Sequence, residues 1–222
     1  MSTSHHNHSW TGEEAQKFAQ SVQKLINYRY KPFVREILRA IKKFGVKSHP
    51  TIVDIGSGPG ILLIEIRKLL EDAMLIGVDS SPSMLEIANM KVRELNLKHL
   101  EFKLGPAEKI PIDQEQIDVV VCLNSFHDFH DSRQTIKEVS RILKSGGLFI
   151  LKDKNGAYSK WKMRLQFIPL IFKTGLKRTL KYFKSNELWL DPDQVISWMK
   201  KDGIKLEKVY YKKDYLIIGK KL

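Results

Sequence analysis

A chain of 222 residues, 42% of them hydrophobic, is long enough to bury the core of one α/β domain. Lys and Arg number 38 against 25 Asp and Glu, a formal charge of +13; this points to an anionic partner (nucleic acid, an acidic membrane surface or an anionic substrate) unless a lysine-rich proteome sets it. The single Cys122 excludes a disulfide framework, no apolar run nears the ~20 residues of a membrane span, and the first residues lack a signal-peptide pattern, so a cytoplasmic protein is expected.

Residues 1–10 are polar, and a disordered terminus is expected there. His5, His6 and His8 have metal-ligand chemistry, but no metal site is expected. Thr11-Gly12-Glu13-Glu14 reads as a helix start with acids in its first turn. Phe18, Val22, Leu25 and Ile26 follow at helical spacing. Pro32 interrupts, and Phe33, Ile37, Leu38 and Ile41 resume a second amphipathic helix. Tyr28 and Tyr30 stand at the break, placed either to touch a ligand or simply to pack.

The apolar run Thr51–Ile55 stops in Gly56-Ser57-Gly58-Pro59-Gly60 and restarts as Ile61–Ile66, a strand-turn-helix unit. Glycines there let the backbone turn tightly and approach a ligand, with the first amides of the next helix aimed at it. Asp79 ends the run Met74-Leu75-Ile76-Gly77-Val78, where a carboxylate is placed to accept hydrogen bonds from ribose hydroxyls. A nucleoside-containing cofactor is therefore expected. The glycine spacing is G-x-G-x-G rather than the dinucleotide G-x-G-x-x-G, and no Gly-Lys-Ser/Thr follows, which excludes a P-loop. Further strands are predicted near 74–79, 100–104, 117–123 and 147–153, with helices near 60–71, 82–96 and 132–143. Such alternation implies a parallel sheet covered on both faces, with its binding crevice at the carboxyl ends of the strands. Leu206–Tyr211 and Tyr215–Gly219, separated by Lys212-Lys213-Asp214, read as a terminal hairpin.

Val53-Asp54-Ile55-Gly56-Ser57-Gly58-Pro59-Gly60 resembles motif I of the class I S-adenosylmethionine (SAM) methyltransferases, of the type 11-like group. Four further stretches resemble that family's motifs in family order: 77–84 with Asp79, Ser80 and Met84, 105–111 with Pro106, Ala107 and Glu108, 117–127, and 141–150. The resemblance implies a Rossmann-like fold: a mostly parallel seven-stranded sheet with an antiparallel C-terminal hairpin strand and helices on both faces. It implies SAM as cofactor, S-adenosylhomocysteine as product, and one methyltransferase domain over 11–222 whose N-terminal helices (11–45) cap the site. The residues it assigns to the cofactor are Asp54, Gly56, Ser57, Gly58, Gly60, Asp79, Ser80, Met84, Pro106, Ala107, Glu108, Asn124 and Ser125. Pro106 departs from the family's aspartate, so Glu108 or a backbone group must meet the adenine amino group instead.

A basic amphipathic insertion is predicted at 155–189. Trp161, Leu165, Ile168, Phe172 and Leu176 recur at helical steps among lysines and arginines, and no acid occurs between Lys154 and Asn186. Such a stripe suits an anionic membrane surface or a lipid-tailed substrate, with Trp161 and Phe172 as contacts; packing on the sheet edge is the alternative. Residues 182–204 resemble the end of the ubiquinone/menaquinone C-methyltransferases, although that family's arginine-asparagine signature after the fourth strand is replaced by Asn124-Ser125-Phe126-His127-Asp128.

For the chemistry, His127 is the candidate base, with Asp128 or Asp131 to orient it; a structural histidine is the alternative. Cys122 lacks a Pro-Cys context and is expected to point into the sheet. The expected function is methyl transfer from SAM to a small apolar or lipid-like acceptor, with peripheral contact to an anionic membrane. An RNA methyltransferase that clamps phosphates with the basic insertion, and a SAM-binding protein without transferase activity, are the alternatives.

Overall fold

The computed structural model describes residues 11–158 and 189–222. The histidine-bearing terminus and the insertion from 159 to 188, with Trp161 and Phe172, lie outside the described residues.

Helix α1 (Gly12–Gln23) starts where Thr11 and Glu14 form a reciprocal capping box, so two otherwise orphaned amides are satisfied. A π-helical turn, Ile26–Tyr30, joins it to α2 (Lys31–Lys43), and Pro32 falls in the first turn of α2, where its missing N–H costs nothing. Then follow β1 (Thr51–Ile55), α3 (Ile61–Arg67), β2 (Met74–Asp79), α4 (Pro82–Glu94), β3 (Leu100–Leu104) and β4 (Ile117–Leu123). The chain continues through α5 (Ser132–Ile142) and β5 (Leu143–Lys154). After the insertion come α6 (Pro192–Lys201), β6 (Ile204–Tyr211) and β7 (Asp214–Lys221).

The strands form one seven-stranded sheet in the order β3-β2-β1-β4-β5-β7-β6. β1 pairs in parallel with β2 and β4, while β7 runs antiparallel to both neighbours, β5 and β6. The order reverses between β1 and β4, the switch point where ligands bind in open α/β sheets.

Alternation along the strands divides the core between two faces. Val53, Ile55, Val120 and Phe149 pack with Ile136 and Val139 of α5 and Met199 of α6. Ile52, Val119, Val121 and Ile150 pack with Phe33 and Ile37 of α2 and Leu63 of α3. Each such fully buried side chain contributes about 1.5–3 kcal/mol relative to exposure.

Two boundaries differ from the sequence reading. α3 stops at Arg67 rather than near 71, and the buried Arg67 guanidinium turns back onto the carbonyls of Leu70, Glu71, Ala73 and His99. It satisfies carbonyls of the turn that follows the helix and of the residue before β3. β5 begins at Leu143 rather than 147, because Leu143 already pairs with Ile117 before a bulge delays the next pair, Val119 with Leu148. Gly146 takes φ +79°, and a Cβ on Gly147 would lie 2.9 Å from the Lys144 carbonyl and 3.2 Å from that of Asp118. The two glycines thus shape a bulge inside the strand.

Candidate active site

The site is built at the carboxyl ends of β1, β2, β4 and β5. Gly56, Gly58 and Gly60 all take positive φ, between 51° and 75°, in which β-carbon sterics disfavour other residues. The Gly56 and Ser57 amides both donate to the Val78 carbonyl, at 2.8 and 3.1 Å, so the loop is stapled to the neighbouring strand. The Gly58 amide donates to Asp79 Oδ2 at 2.7 Å, and the Ser81 amide donates to Asp79 Oδ1 at 2.9 Å. Asp79 therefore organises the glycine loop and the start of α4 from one carboxylate. Beside it, Met84 is buried and Ser80 is exposed.

Asp54 has the strand parity of Ile52, so it lies on the α2 face of β1. It is a buried carboxyl group. Burial pushes its pKa well above the usual carboxylate range, and the charge of Asp79 adds to the push. Asp79 is also raised by burial, against the opposing pull of the Ser81, Gly58 and Ser80 amides. Tyr30 comes within electrostatic reach of Asp54. Its pKa is pushed up to about 12, chiefly by burial, with Arg29 lowering and Asp54 raising it. Tyr28 is instead 85% exposed. The sequence treats these two tyrosines alike, and the π-helical turn between α1 and α2 separates them.

The segment after β3 is held from α5. The Ile110 amide donates to Glu138, and Arg141 reaches the Ile110 and Ile112 carbonyls while pairing with Glu138. Ala107 is buried and Pro106 exposed. Glu108 Oε1 accepts the Asp131 amide at 3.0 Å.

Past β4, Asn124 sits at φ 54° with its amide bonded to the Lys152 carbonyl, and its side-chain oxygen is buried without a partner. Ser57 Oγ is likewise buried and unpartnered. Ser125 Oγ donates to the Ile55 carbonyl at 3.2 Å and lies 3.3 Å from Cys122 Sγ. Cys122 is fully buried, and its thiol is pushed well up by burial and then by the charge of Asp153, which removes it as a nucleophile. A Cβ on Gly56 would lie 2.5 Å from Ser125 Oγ and 3.1 Å from the Phe129 ring, so the turn 125–129 packs on the glycine loop.

His127 stands in the middle of that turn. The expectation that Asp128 or Asp131 orients it is corrected. Asp131 caps α5 by accepting the Gln134 amide, and Asp128 Oδ1 is 3.5 Å from Nε2, beyond a good hydrogen bond. The carboxylate that His127 does meet is Asp153 of β5, whose Oδ1 is 2.7 Å from His127 Nδ1 and whose Oδ2 accepts the His127 amide at 3.0 Å. Burial alone would lower the His127 pKa, but the hydrogen bond and charge of Asp153, with the charge of Asp128, outweigh it and leave it above the ordinary value. The stabilisation from this pairing is accordingly full below the unfolded imidazole pKa of about 6.5 and is lost as pH rises through the higher folded value.

Among the described residues no cluster of three His, Cys, Asp or Glu side chains suits a metal. A cleft of about 370 Å³ also opens toward the amino ends of β1, β2 and β4, lined by Thr51, Met74, Lys103 and Asp113 among others, and it shares no residue with the glycine-loop site.

The chain's residues fit a polar, nucleoside-bearing cofactor. Ser57 Oγ and Asn124 Oδ1 supply unused hydrogen-bonding capacity, Asp54 a buried carboxyl group, Asp79 a carboxylate for hydroxyls, and Gly58 faces open space on its Cβ side. A mostly parallel sheet that gathers these groups at its switch point is a Rossmann-like architecture suited to a nucleoside-bearing cofactor. Residues 46–203 match the model of the methyltransferase domain family, and the chain belongs to that family. An uncharacterized methyltransferase of Bacillus subtilis (strain 168), YcgJ, is 27% identical over 177 residues, 73% of this chain and 69% of that one. A demethylmenaquinone methyltransferase of Thermotoga maritima is 26% identical over 181 residues, 76% of either chain. In fold, a SAM-dependent methyltransferase from Aquifex aeolicus superposes with a TM-score of 0.71 at 18% identity, covering 96% of this chain and all of the other. The protein is a SAM-dependent methyltransferase. SAM supplies a methyl group already activated on a sulfonium, so the protein's task is to orient an acceptor, exclude water and, where the acceptor is protic, take up a proton.

Proposed function

We propose that this methyltransferase acts on a small, apolar or lipid-like acceptor, with Asp54, Gly56–Gly60, Asp79, Met84, the 105–108 segment, Asn124 and Ser125 holding SAM and His127 serving as base. The observation that carries the acceptor class is the extent of similarity to the demethylmenaquinone methyltransferase. It spans 181 residues, more than the cofactor-binding core at 51–153. A relationship confined to the cofactor would stop with that core. The basic, aromatic-bearing stretch at 155–189 agrees with this reading, since lysines around an apolar stripe favour an anionic lipid surface. No helix among the described residues is long and apolar enough to cross a membrane, and the lipid contact proposed is a peripheral one.

The test is methyl transfer from radiolabelled SAM into a cell extract, afterwards split into lipid, small-molecule, protein and RNA fractions. Label is expected in the lipid-extractable fraction. Label in RNA, with binding that weakens steeply as salt rises, would replace this reading with a phosphate-clamping RNA enzyme. SAM binding without label in any fraction would leave a binding protein.

A further inference from the structure

Asp153 is fully buried, yet three donors converge on it. His127 Nδ1 and the Lys154 amide reach Oδ1, both at 2.7 Å, and the His127 amide reaches Oδ2 at 3.0 Å. A buried carboxylate is costly unless it is paired and hydrogen-bonded, and this one has both kinds of partner. Two of the three bonds come from a single residue, so the imidazole and its own backbone are clamped together. Nδ1 is committed to Asp153, which fixes the hydrogen there and leaves Nε2 as the basic nitrogen. The His127 side chain is 13% exposed.

The groups around the pair keep the carboxylate as its source of negative charge. Cys122 of β4 and Tyr215 of β7 lie behind Asp153, and both are pushed well up by burial and then by the charge of Asp153, so they stay neutral. Lys154 opposes His127 protonation only weakly and is itself paired with Asp214 of β7 at 2.6 Å. Asp128, on the same turn as His127, adds a second negative charge.

We propose that Asp153 is the positioning residue for His127, and that the pair takes up through Nε2 the proton a methyl acceptor must give up. This rests on the methyl-transfer reading above and narrows it. The acceptor is one whose nucleophilic atom, or a hydroxyl conjugated to it, carries a removable hydrogen, such as a phenol or quinol-type ring, rather than a sulfide or a tertiary amine. The balance is the exchange of a methyl for a proton. A new acceptor–methyl bond forms, the sulfur keeps the electron pair of the bond it loses, and the acceptor's proton passes to Nε2 and on to water. The location agrees, since the turn that carries His127 packs on Gly56 through Ser125 and Phe129.

The experiment uses full-length protein with bound S-adenosylhomocysteine and ¹⁵N-labelled histidine. His127 is assigned by its absence in His127→Gln and titrated from about pH 5 to 10 by NMR. A protonated Nδ1 in the neutral form and a pKa above about 6.5 are expected. Asp153→Asn should lower that pKa by about one pH unit or more and scramble the tautomer, whereas Asp128→Asn should leave the tautomer fixed. In the extract assay the rate should rise with pH through the same wild-type pKa. The rising limb should move to lower pH in Asp153→Asn at reduced maximum, while affinity for S-adenosylhomocysteine holds. An Asp153→Asn protein with unchanged pKa and tautomer overturns the positioning role. A His127→Gln protein that labels acceptor at the wild-type rate across this range overturns the base role. Failure of the wild type to bind S-adenosylhomocysteine strikes the methyltransferase reading instead, and the titration alone then judges the pairing.

Discussion

Asp79→Ala is expected to weaken SAM binding by about 100-fold, measured by isothermal titration calorimetry. A hydrogen bond to a charged group is worth about 1.5–3 kcal/mol, and each 1.4 kcal/mol is about tenfold, so losing two such bonds to a ribose gives about 100-fold at the low end of that range. The effect has a second source in the free protein. Asp79 already holds the Gly58 and Ser81 amides, so its removal loosens the glycine loop and the cap of α4 at once. Stability should not fall in proportion. Burial raises the Asp79 pKa, so the favourable share of its folding linkage is present at acid pH and lost as pH rises through the folded value. Burying this carboxyl itself costs folding free energy, so the apo melting temperature of the variant should stay within a few degrees of wild type. Undiminished SAM affinity would remove Asp79 from the ribose.

Gly56→Ala is expected to lower stability by about 2–5 kcal/mol and the melting temperature by about 4–20 °C, with SAM binding lost as well. Two costs combine. The residue sits at φ +70°, where a β-carbon costs about 1–2 kcal/mol. The new methyl would also lie 2.5 Å from Ser125 Oγ and 2.6 Å from its Cβ, and relieving such overlap costs about 1–3 kcal/mol. Gly45→Ala is the matched control. Its φ is +68°, but nothing lies within 4 Å of the added carbon, so only the backbone cost applies. Equal melting temperatures for the two variants would show that the 125–129 turn does not press on the glycine loop.

Much of this was legible in the chain because it is local. Strands β1 and β3 end where they meet a glycine and β2 ends on an acid, and the glycine loop with Asp79 lies within one βαβ unit. Thr11 and Glu14 announce α1 through a contact three residues apart. What escaped is non-local. Asp153 looks like one more polar residue in Leu-Lys-Asp-Lys, and its partner is 26 residues earlier on a different strand end. The available signal was its position, since Asp54 and Asp79 also occupy the carboxyl ends of their strands. Arg67 reads as an ordinary basic residue late in a helix, while its guanidinium serves carbonyls as distant as His99. Phe102 could not have been foreseen either: its ring fills the space beside Gly60 and Gly77, so those glycines serve packing as well as the turn. Tyr30 differs from Tyr28 only through a π-helical turn, which no periodicity of 3.6 residues forecasts.

The most direct measurement of the site is hydrogen–deuterium exchange of the wild-type protein with and without S-adenosylhomocysteine. Protection is predicted in four separate stretches: 54–60, 79–84, 105–108 and 122–129. Protection that instead falls around Thr51, Lys103 and Asp113, at the cleft on the amino side of the sheet, would contradict the account.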